Sequence, residues 1–104
     1  MQKLRGFEEE SLIQFKILEN DPLNSGAYHE LGLLTEKVGK NLEAQGFFKK
    51  AVELKKNEPK FWISYIESLM KGFKLKKARK IINELKTKGA QGEKLEHLEN
   101  LLDV

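Results

Sequence analysis

The chain has 104 residues, of which 39% are apolar and 34% charged, with a formal net charge of +3 and no cysteine. This length fits one domain, and the composition is too apolar for a disordered tail and too charged for a membrane-spanning segment. Without cysteines the chain has no disulfide framework or thiolate chemistry, and without an apolar leader it is expected to be cytoplasmic with no membrane partner.

Apolar residues recur at three- and four-residue spacing along most of the chain, a pattern that predicts α-helices rather than strands. The first helix is expected over residues 7–20, because Pro22 and its restricted predecessor end it. Asn24 or Ser25 can cap a second helix, which stops at Gly39, a natural left-handed residue.

The later helices are bounded in the same way. Asn41 is expected to cap the third, Pro59 suits the first turn of the fourth, and Gly89 ends the fifth. The predicted ranges are 41–54, 59–72, 75–88 and 93–102. Six helices joined by short loops predict an all-α fold of stacked antiparallel helical hairpins.

The chain also repeats itself at an offset of 34 residues. The offset pairs Tyr28 with Trp62, Leu31 with Tyr65, Leu34 with Ser68, Ala44 with Ala78, Phe48 with Ile82 and Ala51 with Leu85. Five of these six pairs are apolar on both sides. Gly32 and Ala44 are small where two helices of one hairpin must approach closely.

This period and this order of large and small residues resemble the tetratricopeptide repeat (TPR) family, in particular its short bacterial members. The resemblance rests on Tyr28, Leu31, Gly32, Ala44, Phe48 and Ala51, preceded by Asp21-Pro22. It implies a single TPR-like α-solenoid domain over residues 1–104. Its parts are a leading helix at 7–20, repeats at 25–58 and 59–92, and a closing helix at 93–104. The second repeat departs from the pattern at Ile66 and Leu85, so we expect its hairpin to open more widely.

The two end helices differ in character. The closing helix carries one stripe of leucines, as expected of a helix that covers the last hairpin. The leading helix is apolar around most of its circumference. Its outer face could pair with a second copy in a homodimer, pack on further upstream repeats, or simply be exposed.

In the TPR family the first helix of each hairpin lines a concave groove that binds extended peptides. The resemblance places these residues in the groove: His29, Glu30, Leu33, Glu36, Lys37, Lys60, Ile63, Ser64, Glu67, Met70 and Lys71. Some family members clamp a chaperone's C-terminal carboxylate with a Lys and an Asn. His29 and Leu33 stand at those positions, which disfavours that ligand.

Chemistry-bearing residues are sparse. The two histidines, His29 and His97, have no cysteine to join as metal ligands, and no phosphate-cradling glycine pattern is present. The segment from Lys71 to Lys88 contains eight basic residues and only one acidic residue, Glu84. This stripe lacks the interleaved exposed aromatics that stack on bases, so a solvated face is favoured over nucleic-acid binding.

The sequence therefore predicts a protein–protein interaction scaffold that binds a peptide or partner domain in its groove, with no catalytic residues, cofactor or metal. One alternative is the repeat region of a larger bacterial glycosyl-, sulfo- or methyltransferase, which the segment Ala78–Leu95 resembles. A less favoured alternative is a basic nucleic-acid-binding adaptor.

Overall fold

A computed structural model describes the backbone of residues 2–103 and the side chains of residues 6–103. Over this range the chain forms helices and no strand. The helices are α1 (Gln2–Asn20), α2 (Ser25–Lys37), α3 (Asn41–Leu54), α4 (Pro59–Lys71), α5 (Leu75–Thr87) and α6 (Glu93–Leu102). Helices adjacent in the chain pack against one another, which confirms the predicted all-α fold of stacked hairpins.

Most predicted helix ends are confirmed, and one cap is wrong. The Asn24 side chain accepts a hydrogen bond of 2.9 Å from the Ala27 N–H, and Pro59 occupies the first position of α4. Gly39 and Gly89 end their helices with φ of +83° and +94°. Asn41 does not cap α3: the cap residue is Lys40, which makes no side-chain cap hydrogen bond. The Lys40 carbonyl accepts the first hydrogen bond of that helix, from the Ala44 N–H at 3.0 Å.

The small residues of the first hairpin permit a close helix–helix contact. Gly32 is buried on α2, and a Cβ placed there would lie 2.5 Å from Cε1 of Phe48 on α3. Ala44 is fully buried in the same hairpin. The Phe48 ring, itself fully buried, occupies the space that the missing Gly32 side chain leaves. Removal of this much aromatic surface from water stabilises the fold by roughly 1.5–3 kcal/mol.

The second hairpin is more open than the first: α4 and α5 contact each other much less extensively than α2 and α3 do. Ile66 on α4 is fully buried where the first repeat has Gly32, and Leu85 on α5 is only partly buried. Larger side chains at both positions keep the two helices apart, as the sequence predicted. The opening leaves part of the apolar surface of this hairpin uncovered.

Helix α6 covers the end of the stack. Leu95 and Leu98 are buried against the core, and two basic residues of α5 fix the helix from outside. The Arg79 guanidinium lies 2.6 Å from the Asp103 carboxylate, and Lys86 lies 2.7 Å from Glu99. Both pairs are exposed, so they position α6 more than they stabilise it.

Helix α1 lies at the other end and packs on α2. Phe15 meets Phe47 of α3 edge to face, with ring centroids 6.4 Å apart. Ile13 remains 57% exposed, and Leu12 and Ile17 are also exposed. None of the helices in the described part of the chain is long and apolar enough to span a bilayer.

Candidate binding cleft

A cleft of about 920 Å³ lies where the open second hairpin meets the α5–α6 connection. We call this feature the cleft. Its lining residues are His29 and Leu33 of α2, residues 56–57, Pro59, Lys60, Trp62, Ile63, Ser64 and Glu67 of α4 and the loop before it, Leu85, and residues 88–95. A volume of this size accommodates several side chains of a bound segment.

His29 joins α2 to α4 at the base of the cleft. Its Nε2 is hydrogen-bonded to the Ser64 hydroxyl at 2.8 Å, and its ring stacks on Phe61 with centroids 4.7 Å apart. The imidazole is 4% exposed. Burial, reinforced by the charge of Lys60, lowers the pKa of His29 below its ordinary value, so the ring is neutral at pH 7. It serves as an inter-helix contact that presents only an edge to the cleft.

Trp62 lies partly exposed in the wall of the cleft. Its indole N–H donates a hydrogen bond of 2.6 Å to the Lys56 carbonyl, which fixes the ring against the loop that precedes α4. As the repeat equivalent of Tyr28, Trp62 is absent from the predicted groove. Its place in the wall follows from the opening of the second hairpin, and the repeat register alone carries no signal for it.

The loop before α6 forms the opposite wall. The sequence does not predict that this loop belongs to a binding site. Gly89 and Gly92 both have positive φ, at +94° and +140°, and turn the chain back toward α4. The sequence marked Gly89 as a helix end. The path of the chain after that glycine depends on how α6 packs, which helix-end signals do not specify.

The cleft gathers six of the eleven predicted groove residues. These six are His29, Leu33, Lys60, Ile63, Ser64 and Glu67. The other five lie outside its lining. Glu30 and Lys37 are exposed, and Met70 packs partly buried against the core. Glu36 and Lys71 form an ion pair of 3.1 Å that links α2 to α4.

The polar rim of the cleft is mainly basic. Lys56, Lys60, Lys88 and Lys94 line it, against the acidic residues Glu67 and Glu93. Leucine and isoleucine side chains form the floor between them, and Trp62 adds apolar surface in the wall. An apolar floor within a basic rim suits a segment with apolar anchors and flanking acidic side chains.

The basic stripe between Lys71 and Lys88 is exposed along its length, as expected of a solvated face. Four of its members have partners: Lys71 and Lys74 contact Glu36 and Gln45, and Arg79 and Lys86 hold α6. The expectation that it holds no exposed aromatic is wrong, because Phe73 is 85% exposed. A phenylalanine in a helix-rich segment is usually a core residue, so the sequence pattern does not indicate that this one is exposed.

Among the described residues, no group of three His, Cys, Asp or Glu side chains is arranged to hold a metal ion. A scan of the chain against protein-family models finds no match, and a search of curated proteins finds none either.

Proposed function

We propose that this chain is a tetratricopeptide-type interaction scaffold of a bacterial cytoplasm, and that it binds a peptide or a segment of a partner protein in the cleft. The observation that carries the proposal is the cleft itself. Leu33, Trp62 and Ile63 offer apolar surface that the fold leaves partly uncovered, on two helices joined by the His29–Ser64 hydrogen bond. A preformed apolar floor lowers the entropy cost of binding.

The residues that line the cleft favour a binding scaffold over an enzyme. The one buried histidine, His29, lies between two aromatic rings, and its hydrogen bond to the Ser64 hydroxyl joins α2 to α4. The recognition groups that remain are apolar side chains and lysines. They bind a chain segment through shape and charge.

A random-peptide display selection against the full chain tests the proposal. Peptides recovered on the wild type are measured against Leu33→Ala and Ile63→Ala, which each remove apolar surface from the cleft floor. Each change is expected to weaken binding about fivefold or more, as for a central interface residue. Met70→Ala is the matched control: this residue is also partly buried and on α4, but it lies outside the cleft. Equal binding by all four proteins would contradict the proposal.

The uncovered face of α1 supports a second, compatible proposal, that two copies pair through this helix. Leu12, Ile13 and Ile17 are exposed on one element, which exceeds the isolated surface leucines of ordinary proteins. Light scattering over a concentration series should show a mass that rises toward two chains and reverts in Ile13→Lys. One chain mass at every concentration would refute the pairing.

A further inference from the structure

Phe73 has a backbone conformation that, elsewhere in residues 2–103, only glycines adopt. Its φ is +60°, and its N–H donates to the Met70 carbonyl at 3.0 Å, while the Lys74 N–H donates to the Leu69 carbonyl at 2.8 Å. Gly39 ends α2 with the same two hydrogen bonds, at 3.0 and 2.9 Å. A bulky side chain is disfavoured in the left-handed region.

The Phe73 side chain lies almost wholly outside the core. The ring is 85% exposed, the most exposed of the large apolar side chains in the described residues. A glycine at this position would satisfy the same turn without strain and without an aromatic ring in water. A strained, exposed aromatic of this kind is expected where the ring meets something outside the chain.

The turn that carries Phe73 lies beside the turn between α2 and α3. The Lys74 ammonium donates to the Gln45 side-chain oxygen at 2.8 Å, and Lys71 pairs with Glu36 at 3.1 Å. These contacts place residues 36–45 and 71–77 along one side of the molecule, which we call the turn edge. Leu42, within the first segment, is 73% exposed.

The turn edge combines exposed apolar side chains with positive charge. Its two segments hold six lysines and two glutamates, a net charge of +4. All six lysines are exposed, and one of the glutamates, Glu36, is already paired with Lys71. Phe73 and Leu75 alternate with Lys74 and Lys76 along the chain, so that apolar and basic side chains are interleaved.

We propose that the turn edge docks on an anionic lipid bilayer. Phe73, with Leu42 and Leu75, inserts at the boundary between headgroups and acyl chains, and the surrounding lysines contact lipid phosphates. Nucleic acid fits less well, because bases stack on aromatic rings and the turn edge offers one ring and two leucines. This peripheral contact needs no membrane-spanning helix, and the described residues contain none.

Vesicle flotation with the full-length chain tests the proposal. The probes are phosphatidylcholine vesicles and vesicles that also contain phosphatidylserine. Binding is expected only to the anionic vesicles and should fall as salt is added. Phe73→Gly is expected to weaken it about tenfold or more, since one buried aromatic is lost. The glycine matches those at positions 39 and 89, so the variant keeps its fold, which circular dichroism verifies.

Two matched controls isolate the turn edge. Leu23 is 71% exposed in the α1–α2 turn, and Leu23→Ser should leave binding unchanged. Replacement of Lys76 and Lys77 by glutamine should weaken binding roughly fivefold for each lysine. The same replacement of Lys49 and Lys50, exposed on α3, should have a much smaller effect.

Three results would overturn the proposal. The first is no binding to anionic vesicles at low ionic strength. The second is an equal loss in Phe73→Gly and Leu23→Ser, or no loss in either. The third is Phe73-dependent binding to a single-stranded oligonucleotide by a chain that ignores vesicles, which would assign the surface to nucleic acid.

Discussion

Replacement of Gly32 by alanine tests the contact at the centre of the first hairpin. The new Cβ would lie 2.5, 2.6 and 2.9 Å from Cε1, Cδ1 and Cζ of the Phe48 ring, which is rigid and fully buried. Overpacking of a dense core costs about 1–3 kcal/mol. Alanine recovers about 0.5–1 kcal/mol of helix propensity over glycine. We therefore expect a net loss of roughly 0.5–2 kcal/mol.

Gly46 provides a matched control, since it also lies inside a helix but, apart from its own helix turn, nothing lies within 4 Å of its added Cβ. Gly46→Ala should gain stability, by about 0.5–1 kcal/mol. Urea unfolding followed by far-ultraviolet circular dichroism measures both variants. Equal stabilisation by the two alanines would refute the close approach of α2 and α3. A second substitution, Phe48→Leu, should make the Gly32→Ala change less costly.

Three further predictions concern helix ends and pH. Asn24→Ala removes the 2.9 Å cap hydrogen bond on α2 and should destabilise the chain by about 1 kcal/mol in the same urea assay. An unchanged free energy of unfolding would show that this hydrogen bond contributes no stability. Phe73→Gly should stabilise it by about 1 kcal/mol through relief of the left-handed backbone, and a loss of stability would contradict the strain argument. The pKa of His29 is lowered in the folded chain, so the unfolded chain binds a proton first as pH falls. Stability should therefore decrease as pH falls below about 6.5, and the decrease should be smaller in His29→Gln, while identical pH profiles would exclude His29 as its source.

The sequence predicts the fold well because helix signals are local. Pro59, Gly39 and Gly89 mark their helix ends by backbone conformation, which depends on the residue and its immediate neighbours. The repeat likewise predicts that Gly32 is small at a close helix–helix contact, but it does not predict Phe48 as the residue packed against it. The prediction of Asn41 as the cap of α3 is wrong because a residue that is able to cap a helix can equally well be its first residue, with the preceding residue as the cap.

The cleft is less predictable because it depends on how far one hairpin opens. The repeat register locates Leu33 and Ile63, which face the expected groove. It gives no indication that Trp62 and the loop after Gly89 complete the walls, since the place of Trp62 follows from the opening of the second hairpin and the path of the loop from the packing of α6. Phe73 was missed for a related reason: apolar periodicity does not distinguish a core aromatic from one at an exposed turn.

Trp62 offers the most direct measurement of cleft binding, because it is the only tryptophan and its indole N–H lies in the cleft wall, bonded to the Lys56 carbonyl. A selected peptide is titrated into isotopically labelled full chain while the indole resonance is followed by NMR. We expect this resonance to shift in proportion to the fraction of chain that is bound. We expect Ile63→Ala to lower the affinity for the peptide, so that more peptide is needed for the same shift. An indole resonance that stays fixed while the peptide binds would place the partner elsewhere and contradict the proposed scaffold site.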